Sequence, residues 1–395
     1  MSRQTVPKRA TLLTHEYPPF PGGEATYCEG IVSGLRALGW EATVIAPDYG
    51  NGDEDKTLAG VNVHRLFCHH RFCLAGILAF VRRLLPQMKD NFFIAGEVRA
   101  GFVLAILTLF TPLRFAVMFH GSELAKARSR LLYRIAIRFV IGRAFRVCTN
   151  SRATERLLQA VSRGLDTRHK SAITLLGLDP FWLTPPTSEQ QRHDLLEAAG
   201  LTDVQPADAV ILTVGRIEPR KGTLDALATV AASRPLVRRR IVHILVGRTV
   251  DQAYGQAVEA EAARIGPDVR ALGVVSRERL RALYRVADAL VLPGRSIKGK
   301  FEGFGLVFTE AASQGCPSLA SRIGGVEDAV AEGRSGFLFD EHDHDGMSRR
   351  LGALLTHSES RLRLRDSCIE HAQSFRWDSC ARTTLGAAGT TTGPS

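Results

Sequence analysis

The chain has 395 residues, of which 45% are apolar and 23% charged, and its 51 Lys and Arg against 40 Asp and Glu give a formal net charge of +11. Such a length accommodates two or three domains of ordinary globular composition, which excludes a disordered, collagenous or disulfide-stapled chain. The charge is uneven: residues 1–185 hold 24 Lys and Arg but 14 Asp and Glu, so an anionic partner is expected for the first half alone. Seven cysteines without metal-ligand spacing predict reduced thiols in a cytoplasmic protein. Met1–Arg9 is polar and basic, unlike a signal peptide, and apolar stretches such as Gly101–Phe110 are too short to span a bilayer.

Thr11–Thr14 reads as a buried strand, followed by a Pro/Gly loop, an amphipathic helix over Ala25–Leu38, a capping Gly39 and a strand over Glu41–Ala46. That βαβ unit implies a parallel sheet. Further strands are expected at Asn62–Phe67, Phe92–Ala95, Phe115–Phe119, Val147–Thr149 and Ala172–Leu175. Phe181–Pro206 is a polar, Pro-rich link with a short helix. A second alternating array starts with Ala209–Val214 and continues at Ile241–Val246, Val269–Leu272, Ala289–Leu292, Pro317–Ala320 and Phe337–Phe339. Two such arrays predict an α/β chain of two doubly wound, Rossmann-like domains, with ligands beyond the carboxyl ends of the strands. The domains are 1–185 and 186–373, and 374–395 holds a last helix and a Gly/Thr/Ser-rich tail expected to be disordered.

The most informative motif is Glu302-Gly303-Phe304-Gly305-Leu306 followed by Glu310. A glycine turn opening into a helix leaves backbone N–H groups for an anion. Glu302 sits before the helix and Glu310 in its second turn, so the pair offers acceptors for sugar and ribose hydroxyls around a diphosphate site. Taken alone, such a pair is usually a surface helix residue and an N-terminal helix charge favoured by the dipole; the Gly-Phe-Gly context and the downstream Gly315-Cys316-Pro317 favour the site. Arg216, Arg220 and Lys221 follow the strand 209–214 between Gly215 and Gly222, which permit close backbone approach; as an isolated loop they are ordinary solvated charges. His120 ends the strand Phe115–Phe119 and points to the same rim. Asp53-Glu54-Asp55 imitates a metal-binding triplet but lies in a Gly/Asn-rich loop and reads as a solvated turn, and Gly324-Gly325 reads as a turn outside the site. The first βα loop, Pro18–Gly23, is not the glycine fingerprint of a nicotinamide enzyme.

With Glu16-Tyr17-Pro18-Pro19-Phe20-Pro21-Gly22-Gly23, Phe119-His120-Gly121-Ser122-Glu123 and Gly215–Gly222 in the same order, the chain resembles family 4 of the retaining glycosyltransferases, of GT-B fold, from about Ala10 to Trp377. The resemblance implies that Arg216 and Lys221 bind the diphosphate of a nucleoside-diphosphate sugar, Arg220 being the weaker candidate. It also implies that Glu310 accepts from the ribose, that Glu302 contacts the donor sugar, and that the N–H groups of Phe304, Gly305 and Leu306 face sugar or phosphate. His120 would approach the donor sugar, Gly22 and Gly23 would bend the first loop over phosphate, and Val275, in the loop Gly273-Val274-Val275, would meet the base. His120, Glu302, Arg216 and Lys221 are therefore the expected catalytic set. The resemblance further implies front-face transfer with retention, no metal or other cofactor, domain closure around the donor, and a last helix that crosses back onto the N-terminal domain.

Leu292–Glu302 is similar to a mannosyltransferase-like subgroup, placing GDP-mannose slightly ahead of UDP-glucose and UDP-GlcNAc. The acceptor is expected to be a lipid-linked or polysaccharide-precursor hydroxyl. One departure is Leu176-Gly177-Leu178-Asp179, where the family often has Asn-Gly-(Val/Ile)-Asp. A GT-B nucleotide-sugar 2-epimerase and a non-catalytic nucleotide-sugar binder stay open as alternatives. Two basic stretches, Arg128–Arg146 and Phe72–Arg83, carry apolar residues at helical spacing and suit peripheral contact with an anionic membrane at its inner face, although core helices with charged outer faces fit as well. No nucleic-acid motif accompanies the charge.

Overall fold

The computed structural model describes residues 8–20, 22–49, 60–68, 74–84, 91–184 and 191–386. Asp53-Glu54-Asp55 and the tail beyond Gly386 lie outside the described residues.

The chain forms two compact units, one comprising residues up to Gly177 together with those from Arg376 on, the other Leu178–Phe375. In the first unit a seven-stranded sheet is built from β1 (Arg9–Leu13), β2 (Glu41–Asp48), β3 (Asn62–Cys68), β4 (Asn91–Ala95), β5 (Arg114–Phe119), β6 (Arg146–Thr149) and β7 (Ser171–Ile173). The strand order is β3-β2-β1-β4-β5-β6-β7. The second unit holds β8 (Ala209–Val214), β9 (Ile241–Val246), β10 (Val269–Ala271), β11 (Ala289–Leu292), β12 (Ser318–Ser321) and β13 (Gly336–Phe339), in the order β10-β9-β8-β11-β12-β13. All paired strands are parallel. This explains why β8 and β9 read as largely apolar runs, broken by Thr213 and His243 alone: every residue in each is buried, as strands covered by helices on both faces require, and those two polar side chains bond to each other. The two Rossmann-like sheets expected from the sequence are present, with strand ends within one or two residues of the reading.

The order in which strands are laid down reverses at one point in each sheet, between β1 and β4 in the first and between β8 and β11 in the second. Loops beyond the carboxyl ends of strands that flank such a point form a crevice for ligands. The loops in those places are Thr14–Gly22, Gly96–Glu97, Gly215–Gly222 and Pro293–Gly305. Glu16, Gly22, Arg216, Arg220, Lys221, Glu302 and Gly305 lie on these loops, whereas His120, Val275, Glu310 and Gly324-Gly325 lie off them.

The first break between units comes at Gly177, because Leu178–Leu183 packs with the second unit. Asp179 caps the helix Pro180–Leu183, Trp182 lies edge-on to Tyr284, and Gln314 Nε2 donates to the Trp182 carbonyl at 2.5 Å. At Arg376 the chain returns to the first unit, where the helix Trp377–Leu385 lies on the helix Gly23–Ala37. Three glycines make that seat. A Cβ on Gly30 would stand 2.0 Å from the Trp377 ring, one on Gly34 2.1 Å from the Trp377 carbonyl and one on Gly177 2.4 Å from the Trp377 nitrogen. Gly177 of the departing Leu-Gly-Leu-Asp sequence is thus required by close packing, whatever precedes it.

The basic stretch Arg128–Arg146 is not one helix. Arg130 is extended (φ −127°, ψ 103°) and separates the helix Ser122–Ser129 from the helix Leu131–Arg143, and β6 begins at Arg146. The second basic stretch is helical over Leu74–Leu84.

Candidate active site

In the second unit the site grows from the turn after β8. Gly215 takes φ +154°, and a Cβ on Gly247, at the end of β9, would stand 1.9 Å from the Gly215 carbonyl oxygen. Two strand ends therefore meet backbone to backbone. Pro219–Lys221 makes one tight turn closed by Gly222 at φ +67°, whose absent Cβ would fall 1.9 Å from the Pro293 oxygen. This turn directs Arg220 inward, 7% exposed, with the Lys221 side chain 11% exposed, while the Arg216 side chain stays 55% exposed.

Glu302 receives the inward cations. Its Oε2 accepts from Lys221 Nζ at 2.7 Å and from the Arg220 guanidinium. Buried Glu218 continues the network, with Arg220 at 3.2 Å, Arg216 at 3.0 Å and Lys300 at 2.8 Å. Burial alone raises a carboxyl pKa, but Lys221 and Arg220 reverse it and leave Glu302 at about 2. Burial of Glu218 is likewise outweighed, by the Lys300 bond and the charges of Arg216 and Arg220, so its pKa lies below the usual value. Four cations thus surround two ionised carboxylates, an excess of positive charge suited to a polyanion. Arg220, the weaker candidate in sequence, is the residue that joins Glu302 to Glu218.

Gly305 precedes the helix Leu306–Ser313 at φ +89°, with no side chain capping that end. The N–H groups of Leu306 and Val307 lie ahead of any intrahelical acceptor. Phe304 is buried and edge-on to Phe375, centroids 5.6 Å apart, so its side chain is core and only its backbone can meet a ligand. One turn into the helix, half-buried Glu310 has its pKa pushed up by burial to about 7, against the pull of Arg277 and the Tyr284 hydroxyl. Val275 lies half-buried after β10, where the Gly273 carbonyl accepts from the Gly247 N–H at 2.8 Å, so that loop is tied to the Gly215–Gly247 contact.

The sequence reading missed two parts of this half. Gly324 (φ +52°) has its missing Cβ 2.2 Å from the Glu302 carbonyl oxygen, to which the Gly325 N–H donates at 2.8 Å. The pair is more than a turn: it clamps the Glu302 backbone, and only the doubled glycine hinted at it. Buried Asp225 binds Arg295 through both oxygens and lies 3.5 Å from His344 Nε2; no spacing in the sequence announces that contact.

In the first unit the loops after β1, β4 and β5 gather a second cluster. His120 Nε2 lies 2.9 Å from the Gly96 carbonyl, and its ring is edge-on to buried Tyr27, centroids 5.2 Å apart. The buried Glu123 carboxylate accepts from the backbone N–H groups of His120 and Gly121. Glu97 caps the helix Val98–Leu107, accepting from the Ala100 and Arg99 N–H groups, and lies 3.1 Å from His15 Nδ1. Burial works against a charged His15, but the bond to Glu97 and its negative charge prevail and raise the pKa. His15, Glu16 and Glu24 bring ligand atoms within 4.8 Å of one another. His15 and Glu97 were not foreseen, since neither belongs to a motif; Glu97 is legible only as a helix cap. Gly22 and Gly23 start the helix Gly23–Ala37, with the Cβ position of Gly22 3.4 Å from Glu16 and open space at that of Gly23.

Chemically, the cluster in the first unit offers acceptors for hydroxyls, and the network in the second unit offers cations and backbone donors for phosphate. Residues 22–169 match the family described as glycosyl transferase 4-like domain, and residues 202–374 the glycosyl transferases group 1. A D-inositol 3-phosphate glycosyltransferase of Streptomyces scabiei is 38% identical over 187 residues, covering 45% of this chain and 41% of that protein. A protein of the same name from Corynebacterium urealyticum is 33% identical over 230 residues, 56% of this chain and 52% of its own. The chain spans about half or less of the length of these relatives. Among solved structures, HepE of Anabaena in complex with UDP and glucose superimposes with a TM-score of 0.75 at 19% identity, over 96% of this chain and 99% of that one. Sucrose-phosphate synthase of Thermosynechococcus elongatus gives 0.74 at 19%, over 95% and 96%. The first half of the chain is thus similar to a glycosyl transferase 4-like domain and the second half to the glycosyl transferases group 1, and the two parallel-sheet units have the GT-B fold of these solved structures.

Proposed function

We propose that the protein is a retaining glycosyltransferase that moves a hexosyl group from a nucleoside-diphosphate sugar to a hydroxyl of a lipid-linked or polysaccharide-precursor acceptor. The observation that carries this reading is the Arg220–Lys221–Glu302–Glu218 network, with its surplus of cations beside the uncapped helix Leu306–Ser313. Breaking the bond between sugar and diphosphate leaves negative charge on the departing phosphate. Cations and helix N–H groups held in place beforehand stabilise that charge without reorganising. Lys221 and exposed Arg216 are the groups to do it, and Arg220 holds Glu302 in position. Both inward cations take Oε2 of Glu302, so Oε1 is the oxygen through which it would accept a sugar hydroxyl. Glu310 would accept from the ribose, and His120 keeps the role towards the donor sugar that the resemblance gives it. With charge neutralisation supplied by side chains, the reaction calls for no metal.

For the donor we place UDP-glucose and UDP-GlcNAc ahead of GDP-mannose, because HepE of similar fold is described with UDP and with UDP-glucose. Calorimetry with UDP, UDP-glucose, UDP-GlcNAc and GDP-mannose tests this on the wild type, Lys221→Ala and Glu310→Ala. One donor should bind selectively and lose at least about ten-fold in affinity in each variant, a loss of about 1.4 kcal/mol. Absence of binding by folded protein would end the transferase reading. An epimerised donor accumulating without acceptor would favour the 2-epimerase instead, and binding without turnover a nucleotide-sugar binder.

A further inference from the structure

The helix Leu131–Arg143 has two apolar faces, of which the fold uses one. Ile137, Val140 and Ile141 are fully buried at positions three and four apart, the side that a surface helix turns to its core. On the other side Leu131, Leu132, Ile135 and Phe139 are exposed, Leu132 by 82%. The stripe continues past the helix. Arg143 Nε donates to Thr108 Oγ1 and its Nη2 to the Thr108 carbonyl, which ties the helix end to the segment carrying Leu109 and Phe110, the latter 78% exposed. A monomeric soluble surface rarely displays so many large apolar side chains together.

Charge indicates what covers them. From Val98 to Arg146 the sequence holds nine Lys and Arg and a single acid, Glu123. That acid is buried and bonded to backbone N–H groups, so it does not reach this surface. Arg128 and Arg130 are exposed where the stripe begins. An apolar stripe set among cations fits the interface of an anionic bilayer, with the apolar side chains among acyl chains and the guanidinium groups at headgroup phosphates. A protein partner would need an acidic rim to match the same cations.

We propose that the first unit docks on anionic membranes through the face made by Leu131, Leu132, Ile135, Phe139, Leu109 and Phe110. The helix Ser122–Ser129, which starts beside His120–Gly121, ends next to this face, about 12 Å away at 1.5 Å per residue. If the transferase reading holds, a lipid-borne acceptor hydroxyl would come to the first-unit cluster from that side; the docking itself does not depend on the reading.

The test is flotation of the full chain with phosphatidylcholine vesicles, with and without a third of phosphatidylglycerol. The wild type should float with the anionic vesicles and be released in about 1 M salt, where the screening length falls to about 3 Å. Arg128→Glu with Arg130→Glu, and separately Leu132→Ser with Phe110→Ser, should each lower partition about ten-fold or more. Circular dichroism should be unchanged, since all four side chains are exposed. Overturning results are no flotation, partition unaffected by both double variants, or a dimer abolished by Leu132→Ser without any flotation, which would assign the face to a second copy. Nucleotide calorimetry on the same proteins separates the two ideas: loss of nucleotide binding with flotation retained discards the transferase and keeps the docking face.

Discussion

Arg220 and Lys221 are adjacent in sequence, and spacing could not tell which of them lies deeper. The tight turn closed by Gly222 makes both face Glu302, and burial makes Arg220 a joint between two carboxylates. Removing one member of a buried ion pair costs about 3–5 kcal/mol, because the partner stays behind without compensation. Arg220→Ala should therefore lower the stability of the second unit by about 3 kcal/mol in urea unfolding, while Arg216→Ala, at a half-exposed position, should cost less than about 1 kcal/mol. Glu310 makes a prediction in pH. Its carboxyl has an ordinary pKa of 4.5 unfolded and about 7 folded, so the native state binds the extra proton and stability from this group declines as pH rises from 4.5 through 7. Glu302 acts oppositely, being depressed to about 2, so its contribution is present above 4.5 and lost as pH falls towards 2. If ionised Glu310 accepts from ribose, nucleotide affinity should rise between pH 6 and 8, and the rise attributable to Glu310 should vanish in Glu310→Gln. An identical profile in the variant would remove Glu310 from the binding site.

At the scale of elements, alternation of apolar runs with amphipathic segments located the described strands in chain order, because parallel strands covered on both faces carry few polar positions to disguise them. Helix continuity was harder to read. Arg130 is an ordinary helix former by composition, and only its extended backbone shows that Ser122–Ser129 and Leu131–Arg143 are separate helices. Packing between helices was also silent in sequence: nothing about Gly30 announced an indole ring against it. Gly30→Ala should force Trp377 from its seat at an overpacking cost of about 1–3 kcal/mol. A red-shifted tryptophan emission that disappears when Trp377 is also replaced by Phe would report the displacement, and an unchanged spectrum would show that the helix shifts as a body.

At the scale of the whole molecule, the chain leaves the first unit at Gly177 and re-enters it at Arg376. Trp377, Cys380, Ala381 and Leu385 are buried there, so the C-terminal end of the chain completes a core started by its N-terminal half. Deleting residues from Arg376 onward should speed hydrogen exchange in Gly23–Ala37 while β8 and β9 keep their protection. Faster exchange in the second unit alone would contradict that assignment.

Sequence by itself determined the architecture and the addresses of the motifs. Periodicity marked two parallel sheets, and glycines at Gly215, Gly222 and Gly305 marked turns where backbone must approach backbone or a helix must open, since these are local requirements written in local residues. Tertiary structure alone decided which groups meet. The pairing of Lys221 and Arg220 with Glu302 spans about 80 residues, and that of His15 with Glu97 a comparable stretch. The fold likewise decided the clamp of Gly324-Gly325 on Glu302, over a shorter span, and the exposed second face of Leu131–Arg143, which became visible only once the first had been buried. Contacts of that kind depend on how strands are ordered in a sheet, and no short-range pattern in a chain encodes that order.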